Sequence, residues 1–430
     1  MLACQWCVVE PMKIAIIGTG ISGLTVAYLL HQKHDISVYE ANSYIGGHTA
    51  TIDIELDGRM HAVDTGFIVF NDWTYPNFIK LMNKLEVEHK PTDMGFSVTS
   101  RHSVNEDFEY SGSSLGGLFA DRRNLAKPVF IRMVMDIIRF GKKARNDIQS
   151  AQIPVGMTLE KYLDQGKYGE LFRRRYILPM ASAIWSASIT QVMQFNAQFF
   201  VKFFHNHGLL NINDRPQWRV IKNGSRSYID PLISGFRDRI QVGNAARAVR
   251  RTAKSITVSC SSGDEVYDQV VFACHSNQAL DLLTNASPEE KQILGAIPYR
   301  KNDVVLHTDE MLLPKRKTAW ASWNYLLDGN ETRQPVLTYN MNMLQGIESE
   351  RTVCVTMNGE QHIDQSKIVR RFSYAHPQFG AQSVAAQESW DKVNGVKNTW
   401  YCGAYWGNGF HEDGVNSALR VAGMLDGNIL

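Results

Sequence analysis

The sequence predicts an α/β protein built on a parallel-sheet dinucleotide-binding domain. Three observations carry that prediction. An apolar β-branched run ends in a Gly-x-Gly-x-x-Gly turn at Gly18, Gly20 and Gly23. The next apolar run closes on an acid, Glu40. Near the C-terminus a third run ends at Gly403 and is followed by a helical pattern that contains Gly414. Strand, glycine turn, helix, strand and terminal acid in this order make a nucleotide site, because the turn lets the backbone approach phosphates at a helix N-terminus.

Composition sets the frame for these elements. The chain has 430 residues, 44% hydrophobic and 20% charged, which suffices for two or three domain cores without metal or disulfide staples. Lys and Arg number 45 against 43 Asp and Glu, so the net charge of +2 offers no electrostatic footprint for nucleic acid. Six cysteines in this length fit a reducing compartment, and the expected location is the cytoplasm. Cys4 and Cys7 form a CxxC with no second pair and no βαβ context, and residues 1–11 read as a tail without the features of a signal peptide. Met12–Leu30 is apolar enough to imitate a membrane span, but its three glycines are better explained as the nucleotide turn.

Lys13–Ile17 (KIAII) reads as a buried parallel strand, and LTVAYLL after Gly23 reads as the helix behind it. In the fingerprint, Gly18 makes the tight turn, Gly20 admits the pyrophosphate, Ser22 lies in the first helical turn and Gly23 allows close helix–strand packing. Ile36–Tyr39 is the second strand. Glu40 lies 20 residues past Gly20 and is placed to accept hydrogen bonds from a ribose. This pattern alone leaves NAD and FAD open.

Glu40-Ala41 followed by the glycine turn Gly46-Gly47-His48 resembles the flavin-containing amine oxidase superfamily, which includes polyamine oxidases, protoporphyrinogen oxidases and phytoene desaturases. The resemblance implies a non-covalent FAD, since the serine-glycine-glycine-cysteine stretch that carries covalent flavin in some members is missing. It implies an FAD-binding Rossmann-like domain made of residues 12–90, 215–290 and 395–430, interleaved with an α+β substrate domain of 91–214 and 291–394. His48 stands where the family usually has Arg. Asp64-Thr65-Gly66 resembles the family's segment beside the flavin, and Lys222-Asn223-Gly224-Ser225 its glycine turn into a helix. The strands around Ile240–Val249, Ser255–Ser259 and Asp268–Cys274 follow, with Ala246 at the adenine-contacting backbone. At the C-terminus the resemblance assigns Gly403 to the flavin's ribityl chain, Gly414 to the opening of the last helix, and Val415 and Asn416 to the first helical amides facing the isoalloxazine.

Trp406, His411 and Glu412 lie between those glycines and are the candidate catalytic residues, His411 with Glu412 as acid and base because imidazole titrates near neutral pH. The family's aromatic after the helix-opening glycine is here Val415, which speaks against an amine substrate. The family's lysine has no clear match among Lys301, Asn302 and Asp303. No second glycine fingerprint follows a strand, so no nicotinamide is expected, and the flavin takes its hydride from the substrate. His205 and His207 lack a third ligand at a recognisable spacing, so no metal is expected.

The expected activity is an FAD-dependent oxidoreductase acting on a small, apolar or lipid-like molecule, with oxygen or a quinone as electron acceptor. A non-redox flavin isomerase or mutase, and an FAD-binding protein without chemistry, are the alternatives. Residues 125–144 read as helical after Pro128, with Phe130, Met133, Val134, Ile137 and Ile138 at helical spacing and a basic stretch from Arg122 to Arg145. A core-packed helix with a solvated basic face is the ordinary reading, and a peripheral membrane contact the sharper one.

Overall fold

A computed structural model describes residues 10–100, 108–112 and 114–430, so the Cys4–Cys7 pair lies outside the described residues. Five parallel strands form the sheet that positions the site, in the order Ile240–Val242, Asp35–Glu40, Lys13–Ile17, Gln269–Phe272, Thr399–Tyr401. KIAII forms its central strand because branched apolar side chains buried on both faces suit a sheet covered on both sides. The helix Ile21–Leu30 is apolar all round and almost wholly buried, packed on the closing helix His411–Met424.

The register decides where the chemistry can be. Ile17 pairs with Tyr39 and Phe272, and Phe272 with Tyr401. Four strands therefore end at one level, and the glycine turn, Glu40, Ala273–His275 and Cys402–Gly403 all leave the same edge. That edge is where an open parallel sheet binds ligands.

A seven-stranded sheet stands against this crevice, in the order Ile368–Pro377, Tyr299–His307, Cys354–Met357, Val336–Asn340, Trp323–Leu327, Phe96–Ser100, Phe108–Ser111. The segment 91–214, expected to be largely helical, thus supplies two strands, and Phe96–Ser100 runs parallel to Trp323–Leu327. FSVTS does alternate apolar and polar residues, but the run is only five residues long and is buried on both faces, so its partner strands rather than a solvent face define it. Helices Pro128–Gln149, Leu178–Trp185 and Ala197–Asn206 then form a cap with an aromatic core of Phe140, Phe172, Trp185, Phe200 and Phe204.

Candidate active site

The glycine turn is shaped by contact with its own sheet. A Cβ on Gly18, at φ +110°, would lie 2.8 Å from the Ala273 carbonyl oxygen, and one on Gly23 would lie 1.9 Å from the Gly18 oxygen. A Cβ on Gly20 would meet nothing within 4 Å, so its backbone faces open space at the first turn of the helix. Ser22 is buried beneath it.

Glu40 is buried, and its carboxylate accepts hydrogen bonds from Thr19 N at 3.1 Å, from the Thr19 hydroxyl, and from Asn42 N and Nδ2 at 2.8 Å. It is held at the rim of the glycine turn while Ala41 beside it is exposed. Gly46 and Gly47 both need positive φ, at +127° and +57°, and Gly47 lies on Gly20. An exposed glycine backbone at a helix N-terminus with a fixed carboxylate beside it suits the pyrophosphate and ribose of a dinucleotide.

Two groups of side chains flank the turn that follows. On one side His48 meets His376 and His275, with ring centroids 5.6 and 5.9 Å away, and Tyr374 at 5.2 Å. His275 stacks on Tyr299 at 4.3 Å, and His376 Nδ1 lies 3.3 Å from both Ser186 Oγ and Asn302 Nδ2. Burial holds the imidazoles neutral: His376 is pushed down to about 3 and His275 to about 4, each lowered further by the neighbouring rings. His48 is lowered by the same desolvation, and its Nε2 is buried without a hydrogen-bond partner.

On the other side Thr49 bonds the Tyr228 hydroxyl and lies 3.3 Å from His411 Nε2, while the His411 ring stacks on Phe67 at 3.5 Å. Desolvation holds His411 far below the ordinary histidine range, so it carries no exchangeable charge near neutral pH. Gly66 lays its segment on this turn, for a Cβ there would stand 2.1 Å from the His48 carbonyl oxygen. Asp64 sits below, accepting from Thr51 Oγ1, from Ser225 N and Oγ, and from Gln345 Nε2 at 2.6–2.9 Å, and desolvation raises it to about 6.

Other expected residues are placed differently. The closing helix begins at His411, not at Gly414, because the Asp413 carboxylate accepts from Phe410 N at 2.9 Å and caps the helix there. Gly414 lies one turn in, where a Cβ would press within 2.8 Å of Ile21 and Ser22, so it serves helix-to-helix contact. Val415 is buried in the core between those helices, and Asn416 is exposed and bonded to Asn77 Nδ2 at 2.8 Å, so neither presents a first-turn amide. Glu412 is not paired with His411: its carboxylate accepts from Asn77 N at 3.1 Å and Phe78 N at 2.8 Å, capping the helix Pro76–Lys84. Trp406 donates its indole N–H to the Tyr401 carbonyl at 3.0 Å and packs between two cores. Gly403 donates to Ser417 Oγ at 3.1 Å, and Ala246 opens the strand Ala246–Arg251 behind a bulge.

Residues 21–342, three quarters of the chain, match the model of the flavin-containing amine oxidoreductases. The chain belongs to this family. Zeta-carotene desaturase of Capsicum annuum is 36% identical over 78 residues, which are 18% of this chain and 13% of that protein, so the chain matches about an eighth of its length. Among solved structures, putrescine oxidase bound to putrescine superposes with a TM-score of 0.66 at 14% identity, covering 97% of this chain and 99% of that one. Cyclohexylamine oxidase from Brevibacterium oxydans IH-35A gives 0.65 at 16%, covering 97% and 100%. At these identities the structures share the fold.

Sequence reasoning passed over His275, His376, Tyr299, Thr49 and Phe67. His275 had a signal: it follows the end of a parallel strand, on the ligand side of the sheet. Of Lys301, Asn302 and Asp303, Asn302 alone is buried, so the inward position of that strand holds an amide in place of a lysine.

Proposed function

We propose that the protein is an FAD-dependent oxidoreductase of the desaturase kind, holding FAD non-covalently and removing a hydride from an uncharged, lipid-like substrate, with oxygen or a quinone as final acceptor. The observation that carries this reading is the character of the groups around the Gly46–Ala50 turn. Among the described residues no carboxylate is hydrogen-bonded to His48, His275, His376 or His411, and the remaining neighbours are aromatic rings, hydroxyls and amides. An ammonium substrate would find no carboxylate to pair with there, whereas an apolar carbon chain needs none.

In this reading Gly18, Gly20, Gly23, Gly46 and Gly47 hold the diphosphate by backbone, Glu40 holds the ribose, and His48, where the family has Arg, offers its free Nε2 as a neutral hydrogen-bonding group. The bound flavin supplies the hydride acceptor. His411 fixes the Thr49–Tyr228 pair, Asn302 and Ser186 fix His376, and the aromatic cap excludes water from the reacting carbon. The match to zeta-carotene desaturase, over 78 residues, accords with this reading.

The test is an anaerobic titration of the flavin-loaded protein with polyenes, unsaturated acyl lipids and amines, following the visible absorbance of oxidised flavin. Bleaching by a polyene or acyl lipid, with a product two hydrogens lighter, is expected. Bleaching by amines alone refutes the reading. Conversion of a lipid with the flavin oxidised throughout and no acceptor present would assign an isomerase.

A further inference from the structure

We propose that the outer face of the helix Pro128–Gln149 docks the protein on an anionic lipid bilayer. The inner face of that helix packs Phe130, Met133, Phe140 and Ala144 into the cap core with Val134 and Ile137 against it, whereas Ile138, expected on the same face, lies outside because the core ends on the Phe140 side of the helix. The opposite face is not simply solvated. Ile131, Met135 and Ile138 are 37%, 59% and 51% exposed and follow one another at four- and three-residue spacing, with exposed Lys142 next in line. These four side chains form one stripe along the helix, turned away from the core.

Charge complements this stripe. Residues 121–147 hold eight Lys and Arg against three Asp, a net of +5 in a chain whose whole net charge is +2. Arg132 and Arg139 line one side, sharing the buried Asp136. On the other side a groove of about 470 Å³ opens between Ile138, Lys142, Arg145, Ile212, Asp214 and Arg215, three cations to one carboxylate, with Ile212 60% exposed. An apolar ridge of isoleucine and methionine with cations on both flanks matches the boundary of an anionic bilayer, where the apolar side chains enter the acyl region and the cations stay among the headgroups. No helix among the described residues is long and apolar enough to cross a membrane, so the contact is with the surface.

The placement connects the face with the site. Phe204 lines the groove, its ring centroid lies 6.4 Å from that of Phe203, and Phe203 stacks with Phe410 at 5.7 Å, at the N-terminus of the closing helix. A protein docked by this face would turn the groove, and the aromatic side chains beneath it, toward the bilayer. The docking itself goes beyond the proposed reaction and does not require it.

The experiment is flotation of the full chain with vesicles of phosphatidylcholine containing about three parts in ten phosphatidylglycerol, and with pure phosphatidylcholine, at about 50 mM and about 500 mM salt. Binding to the mixed vesicles at low salt is expected, falling at least about tenfold on pure phosphatidylcholine or at high salt. Met135→Asp and Ile138→Asp, both surface changes, are each expected to weaken binding about tenfold, as is Lys142→Glu. Lys254→Glu and Lys291→Glu make the same charge change at exposed sites elsewhere and leave binding intact. Absence of binding to the mixed vesicles at low salt overturns the proposal. Equal losses from Lys291→Glu and Lys142→Glu overturn it too, since the attraction would then belong to no face. A dimer in light scattering that Met135→Asp disperses would assign the stripe to a second copy instead.

Discussion

Gly20 and Gly23 lie three residues apart in one motif, and the structure gives them opposite sensitivities. A methyl group on Gly23 would stand 1.9 Å from the Gly18 carbonyl oxygen and 3.1 Å from Ala273 Cβ, in a strand–helix contact whose backbone cannot yield. Gly23→Ala should cost about 3 kcal/mol or more and lower the Tm of the apoprotein by roughly 3 °C or more. A methyl group on Gly20 meets nothing within 4 Å, and its φ of −66° suits alanine. Gly20→Ala should leave the apoprotein unchanged or stabilise it by up to about 1 kcal/mol. If a diphosphate lies against that backbone, the same methyl group stands in its place, and FAD should bind at least about tenfold more weakly, a loss of about 1.4 kcal/mol. Thermal unfolding of the apoprotein and FAD titration by fluorescence quenching read the two quantities separately. Undiminished FAD affinity in Gly20→Ala would refute the placement of the phosphates, whatever happens to stability.

Arg251 and Glu290 are both buried and paired at 2.5 and 2.8 Å, and Tyr401 donates to the same carboxylate at 2.7 Å, so Arg251→Met strands a charge and should cost about 3–5 kcal/mol in urea unfolding. Adding Glu290→Gln should recover part of that loss. His376 has its pKa lowered from 6.5 to about 3, so its contribution to stability is present above pH 6.5 and is lost as pH falls, because the unfolded chain then binds the proton first. His376→Asn should flatten the decline of Tm between about pH 6.5 and 5, where one such group contributes about 1.4 kcal/mol per unit, and an unchanged slope would show the imidazole to be solvated. Glu412→Ala should cost about 1–2 kcal/mol by uncapping the helix Pro76–Lys84, with flavin reduction by substrate unaltered, and a selective loss of reduction would restore Glu412 to the chemistry.

Much of the glycine-lined crevice was legible because its signals are local. The turn at Gly18–Gly23 and the acid at Glu40 are each written within a strand, a turn and a helix, and steric limits on a few backbone positions demand those residues. The closing helix was legible as a helix but misplaced at its start. Gly414 looked like an opening glycine, and only the Asp413 carboxylate returning to Phe410 N shows that the helix begins three residues earlier. The Glu412 and His411 side chains, adjacent in sequence, go to different partners because successive helical residues point about 100° apart.

By itself the sequence determined the α/β class, the glycine turn and the placement of an acid at the second strand's end, since short-range sterics and hydrophobic periodicity decide those. Tertiary structure alone decided that His48, His275 and His376 meet, that Asn302 rather than Lys301 faces inward, and that Ile131, Met135 and Ile138 stay outside the core. Those outcomes depend on which strands share an edge and which helix face finds a partner, and such pairings join residues hundreds of positions apart that carry no local mark of one another.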